Sequence, residues 1–179
     1  MKDALISSSS PSFNSRVISV ASAAHRLGEI NLDDLHFEKR EYDPQAAYGQ
    51  SKLANIHFAN ELDRRYQSKG VRALSLHPGG ILTPLARHMP AGGDSVVDEE
   101  MATELKNPAQ GAATSVWAAV AKELEGKGGI YLDDVGESRP VPDDHTYYKG
   151  GYTPKKAFDP PTEKKLWAES LRLVGLNEE

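Results

Sequence analysis

The sequence predicts an α/β fold built on parallel strands, and three observations predict it. Two short apolar runs, Arg16 to Ser22 and Val71 to His77, have the length and near-continuous apolar character of strands buried on both faces of a sheet. Between them runs one long helical pattern, Pro44 to Ser68. A strand, a long crossover helix and a second strand in that order imply a right-handed parallel unit. Both strand ends and the start of the helix then share one rim, where parallel sheets present their functional groups.

Composition narrows the classes. At 179 residues and 39% apolar content, the chain can bury one core. A net charge of −5 gives no electrostatic case for nucleic acid or for an anionic membrane surface. Zero Cys excludes disulfides and Cys-ligated metals and fits a reducing, cytoplasmic setting, with membrane association left open. No run approaches the 18 or so apolar residues of a membrane span, and Met1 to Ile6 is too short for a signal peptide.

Taken in order, residues 1–15 read either as the end of a helix, Ala4-Leu5-Ile6, followed by a Ser-rich polar loop, or as a disordered leader. The first strand is β-branched and ends in Ser22. Residues 23–43, with Gly28, Asn31 and Asp33-Asp34, read as a polar loop with room for a short helical turn, in which His25 and His36 are solvated; no spacing makes them metal ligands. Asp43-Pro44 is a helix-start signal, an N-cap residue followed by Pro at the first helical position. Along the helix Ala54, Phe58, Leu62 and Tyr66 recur every fourth residue as an apolar stripe beside Leu53 and Ile56. Lys69-Gly70 is a stop. The second strand runs into His77-Pro78-Gly79-Gly80-Ile81-Leu82-Thr83-Pro84, a turn with exposed backbone amides.

Beyond it, residues 84–107 read as a loop that could cover a substrate. Pro108 to Leu124 reads as a helix, Gly128 to Leu132 as a short edge strand, and 133–161 as polar and Gly/Pro-rich. Thr162 to Val174 reads as a last helix capped by Thr162 and ended by Gly175. About three strands with flanking helices form one domain over 1–179. Its parts are a residual helix and loop (1–15), a catalytic strand–helix–strand (16–83), a substrate loop (84–107), and C-terminal helices with the edge strand (108–179).

The chemistry concentrates in Tyr48-Gly49-Gln50-Ser51-Lys52. Tyr48 and Lys52 lie one turn apart on one helix face. An ammonium beside a phenol favours the phenolate, which makes the phenol a workable proton donor and acceptor. A second Tyr-x-x-x-Lys, Tyr152 and Lys156, encloses Pro154, which opposes a helix there, and reads as a decoy. A serine hydrolase using Ser22 with His25 or His77 is a distant alternative, since the chain lacks a Gly-x-Ser-x-Gly elbow.

Ser22, Tyr48-x-x-x-Lys52 and Pro78-Gly79-x-x-x-Thr83 stand in the order of the short-chain dehydrogenase/reductases, and the chain resembles that family over nearly all of residues 15–176. Arg16 to His25, Ser51-Lys-Leu-Ala-Asn55, Leu166-Trp-x-x-Ser170 and Val174-Gly-Leu176 are similar to its retinol dehydrogenase and WW-domain oxidoreductase-like branch.

The resemblance implies a partial Rossmann-type, doubly wound sheet and NAD(P)(H)-dependent oxidation or reduction of an alcohol or carbonyl, retinoid-like or otherwise lipophilic. It favours NADP over NAD. Tyr48 would be the acid/base. Lys52 would assist it and hold the nicotinamide ribose. Ser22 would hold the substrate oxygen. Pro78, Gly79, Ile81 and Thr83 would line the nicotinamide.

The chain departs from the family in several respects: the Gly-rich phosphate loop, the residue that chooses NAD or NADP, the Asn-Ala-Gly strand motif and the Asn that completes the proton relay have no counterpart in it. No Gly-x-x-x-Gly-x-Gly or Gly-x-Gly-x-x-Gly phosphate loop occurs in it. The nucleotide-binding half is therefore expected to be missing, with the chain opening in the helix before the family's fifth strand. Dinucleotide binding should then be weak and the outer edge of the first strand unpaired. That edge could recruit a second copy or another strand. The alternative function is an inactive fragment or interaction remnant.

Overall fold

The computed structural model describes residues 1–81, 83–84, 99–145 and 149–177. The chain begins with a short helix α1, Lys2–Ser7, and strand β1, Ser15–Val20. A 3₁₀ turn over Ala23–Leu27 leads by a long connection to α2, Pro44–Tyr66, and then to β2, Val71–Leu76. Two residues, Gly80–Ile81, form β3. Then follow α3 (Glu99–Glu104), β4 (Leu105–Lys106) and α4 (Pro108–Val120). The chain closes with β5 (Ile130–Asp133), β6 (Gly136–Glu137), α5 (Pro154–Ala157) and α6 (Pro160–Leu173).

The main sheet has the order β1-β2-β5-β6. β1 pairs parallel with β2 from Ser15↔Val71 to Val20↔Leu76, and β2 pairs parallel with β5. β6 returns antiparallel on β5, and β3 pairs with β4 in a separate two-stranded ladder. The strand expected at the edge, β5, therefore has a neighbour on each side among the described residues, and β1 holds the edge. Val20 at the end of β1 is exposed.

One core cluster packs Leu74, Leu76 and Leu132 against Ala118, Ala121 and Leu124 around α4. The other, on the α2 side, joins Ala21, Ile56, Tyr131 and Ala157.

Three expectations need correction. The stripe Ala54, Phe58, Leu62 and Tyr66 is not the buried face of α2. Gly49, Leu53, Ile56, Asn60 and Asp63 are buried instead, with polar members satisfied in place: Asn60 donates to the Ala157 carbonyl and to Glu163, and Asp63 accepts from Arg72 and the Ala73 amide. Phe58 lies half exposed, stacked on Trp167 of α6 at 5.7 Å. Apolar periodicity missed this because hydrogen-bonded polar groups can be buried as well as apolar ones.

The last helix is capped by Asp159, which accepts from the Thr162 amide; Thr162 sits inside the first turn. The loop expected over 84–107 lies mostly outside the described residues, and its described end is α3 and β4 rather than loop.

Candidate active site

The rim is assembled from three places. Ser22 follows β1 in an extended conformation and caps the 3₁₀ turn, its Oγ accepting from the Ala24 amide at 3.1 Å. That bond occupies the oxygen and leaves the hydroxyl proton to be donated elsewhere. α2 starts where its signals place it: the Asp43 carboxylate accepts from the Ala46 amide at 2.7 Å, with Pro44 in the first turn. Tyr48 is then one turn into the helix and partly exposed.

Lys52 joins these parts. Its Nζ lies 5.5 Å from the Tyr48 ring centroid and 3.4 Å from the Val20 carbonyl, two residues before Ser22. Asn55, one turn further along, donates to the same carbonyl at 2.9 Å, and Ser19 of β1 donates to the Asn55 carbonyl at 2.9 Å. The polar face of α2 is thereby stitched to the end of β1.

The third part is the turn after β2. Gly79 has φ +96°, a conformation that L side chains rarely adopt. A Cβ there would also meet the Lys106 side chain at 2.6 Å, and Lys106 in turn pairs with Asp134. Pro78 is half-buried and Thr83 is exposed. Ile81 packs its side chain on Gly111 of α4, so its backbone rather than its side chain is what it can offer a ligand. Contacts thus tie Lys52, beside the Tyr48 ring, to the Val20 carbonyl at the end of β1, two residues before Ser22, while Pro78, Gly79 and Ile81 follow the adjacent strand.

His25 departs from the solvated position expected of it. It is fully buried, not solvated. Its Nδ1 lies 2.7 Å from the Ser22 carbonyl, and its ring meets Tyr131 edge-on at 5.1 Å. Burial lowers its pKa to about 4, with Arg26, His77 and Lys156 adding to the effect. His25 engages the carbonyl of Ser22, not its hydroxyl, so these two residues form no Ser–His nucleophile pair. His77 is likewise buried and lowered to about 4, first by burial and then by the Lys106 and Arg26 charges.

The second Tyr-x-x-x-Lys is structural. Tyr152 lies outside any helix, against Tyr131 and Phe158, and Lys156 donates to the Arg26 and Gly28 carbonyls. Among the described residues no His/Cys/Asp/Glu group could hold a metal, and no helix is long and apolar enough to cross a membrane.

The chain is 46% identical, over 99% of its length, to the "Short-chain dehydrogenase/reductase prx1" of Penicillium roqueforti, of which it covers 52%. This chain is a member of the short-chain dehydrogenase/reductase family. Human "Retinol dehydrogenase 13" is 39% identical over 90% of the chain, which covers 46% of that protein. A solved structure, titled as a putative uncharacterized protein from Mycobacterium Paratuberculosis, superposes with a TM-score of 0.60 at 32% identity. That match covers 90% of this chain and 51% of the solved one. No family model matches. The chain spans about half the length of the curated relatives it matches. The α/β architecture with a mainly parallel sheet agrees with the Rossmann-type expectation.

Proposed function

We propose that this chain carries the catalytic and nicotinamide-side half of an NAD(P)(H)-dependent oxidoreductase acting on an alcohol or carbonyl. The observation that carries this reading is Lys52, held between the Tyr48 ring and the end of the strand that delivers Ser22. The Ser22 hydroxyl donates to the substrate oxygen. Tyr48 Oη gives its proton to that oxygen in reduction, or takes it in oxidation, and exchanges it with solvent afterwards. Lys52 stands beside the Tyr48 ring and, with one donor directed at the Val20 carbonyl, has donors to spare for a ribose.

The rim also fits the nicotinamide end of a dinucleotide. The turn at Gly79-Gly80 follows the strand next to the one that leads to Ser22, and its main-chain groups, with those of Ile81, would be what it offers a nicotinamide. When bound, that cofactor supplies or accepts the hydride. NADP rather than NAD follows from the family resemblance. A lipophilic substrate follows from it too and agrees with the names of relatives such as "Retinol dehydrogenase 13" and the mouse "Polyprenol dehydrogenase".

A second reading is an inactive fragment or interaction remnant. The Gly-rich phosphate loop is missing from the 179 residues, and β1 stands at the sheet edge among the described residues, where a strand of a second copy or of another chain could pair. NADPH and NADH titration of the purified chain separates the two readings. Weak binding with slow, Tyr48-dependent carbonyl reduction supports the first. Turnover that survives Tyr48→Phe undoes it. Micromolar cofactor affinity undoes the second and the expectation of weak binding with it.

A further inference from the structure

Beneath the rim, polar atoms from three adjacent segments are buried with no partner among the described residues: His25 Nε2, Tyr131 Oη and His77 Nδ1. Their residues are 0%, 1% and 8% exposed. His25 follows β1, His77 follows β2, and Tyr131 lies on β5, so the three come from consecutive strands of the sheet. A buried polar atom left without a partner costs about 1–3 kcal/mol, and three together at the foot of a candidate site call for an explanation.

The chemistry of the pair His25 and Tyr131 is complementary. A backbone carbonyl can only accept, so the 2.7 Å contact to Ser22 puts the proton on His25 Nδ1 and leaves Nε2 as a bare acceptor. Burial, with the Asp133 charge and the Tyr48 phenol adding to it, keeps the Tyr131 hydroxyl protonated, and so a donor. The two rings already touch edge-on at 5.1 Å and 64°. They do not hydrogen-bond directly. One water accepting from Tyr131 and donating to His25 would satisfy both.

We propose that Tyr131 and His25 are linked through one buried water, and that the pair is a positioning element for Ser22. Tyr131 fixes the imidazole, the imidazole Nδ1–H fixes the Ser22 carbonyl, and the turn capped by Ser22 Oγ then holds its hydroxyl outward toward a substrate oxygen. Neither residue touches the reacting atoms. The importance of the Ser22 hydroxyl rests on the oxidoreductase reading; the hydrogen-bond chain does not.

The test is imidazole and amide ¹⁵N NMR on the labelled full chain at neutral pH, so it needs no turnover. His25 should show the Nδ1–H tautomer with an Nε2 resonance displaced toward the hydrogen-bonded position. Tyr131→Phe, which removes a single oxygen, should return Nε2 to the position of a bare nitrogen. An Nε2 shift unchanged in folded Tyr131→Phe overturns the link. His25→Leu should move the Ser22 and Ala24 amide resonances, and His25→Asn, whose amide can still donate to the Ser22 carbonyl, should restore them. Amides indifferent to His25→Leu, or unrestored by His25→Asn, overturn the positioning role. If His25→Leu does not fold, comparing His25→Asn with the wild type decides the point, and displaced amides there overturn the role. Ser22→Ala without effect on carbonyl reduction would count against the oxidoreductase reading alone, leaving the nitrogen shifts to stand on their own.

Discussion

Gly28 and Gly49 lie backbone against backbone. A Cβ on Gly49 would sit 2.7 Å from the Gly28 nitrogen and 2.9 Å from the Ala24 carbonyl oxygen, and a Cβ on Gly28 would overlap the Gly49 carbonyl. This contact brings the helix turn that carries Tyr48 against the turn that Ser22 caps. Neither partner can yield, because each is main chain. Gly49→Ala should cost about 2–3 kcal/mol or more of stability. Gly136→Ala is the control, since its Cβ meets nothing closer than 3.7 Å. Urea unfolding of the two variants checks this, and equal midpoints would refute it.

Asp63 links the far end of α2 to the start of β2. Its carboxylate accepts from Arg72 Nε at 2.9 Å, Arg72 Nη2 at 3.0 Å and the Ala73 amide at 3.0 Å, and it is nearly inaccessible to solvent. Asp63→Ala strands a guanidinium and an amide, at a cost of about 3–5 kcal/mol. Asp63→Asn, which keeps an acceptor, should fall between that variant and the wild type in thermal unfolding.

Stability should depend on pH through His25 and His77. Each titrates near 6.5 when unfolded and near 4 when folded. Between those values the unfolded chain binds more protons, so stability falls as pH drops from 6.5 to 4. Above and below that window this contribution is flat. At about 1.4 kcal/mol per pH unit, each buried ring contributes on the order of 3 kcal/mol at most. Denaturant midpoints at pH 7 and pH 5 test the sign, and a midpoint that rises on acidification would contradict it.

α4 begins with a capping box. Asn107 accepts from the Gln110 amide at 2.9 Å, and the Gln110 side chain accepts from the Asn107 amide at 2.9 Å. Asn107→Ala should lower stability by about 1 kcal/mol, while Asn107→Asp should be close to neutral. Thermal melts of both variants measure it.

By itself the sequence determined the parallel strand–helix–strand unit, the start of α2 at Asp43-Pro44, and the family motifs at Ser22, Tyr48, Lys52 and Pro78-Gly79. All of these are local: strand character, cap chemistry and one-turn spacing are written in neighbouring residues. Only the tertiary structure decided which side of α2 is buried, that His25 lies inside against Tyr131, and that Gly28 meets Gly49. Those facts depend on partners tens of residues away, and a buried imidazole or a glycine at a backbone crossing looks the same in sequence as one in a solvated loop. The spatial neighbour sets the free energy of such a residue, and no local pattern encodes it.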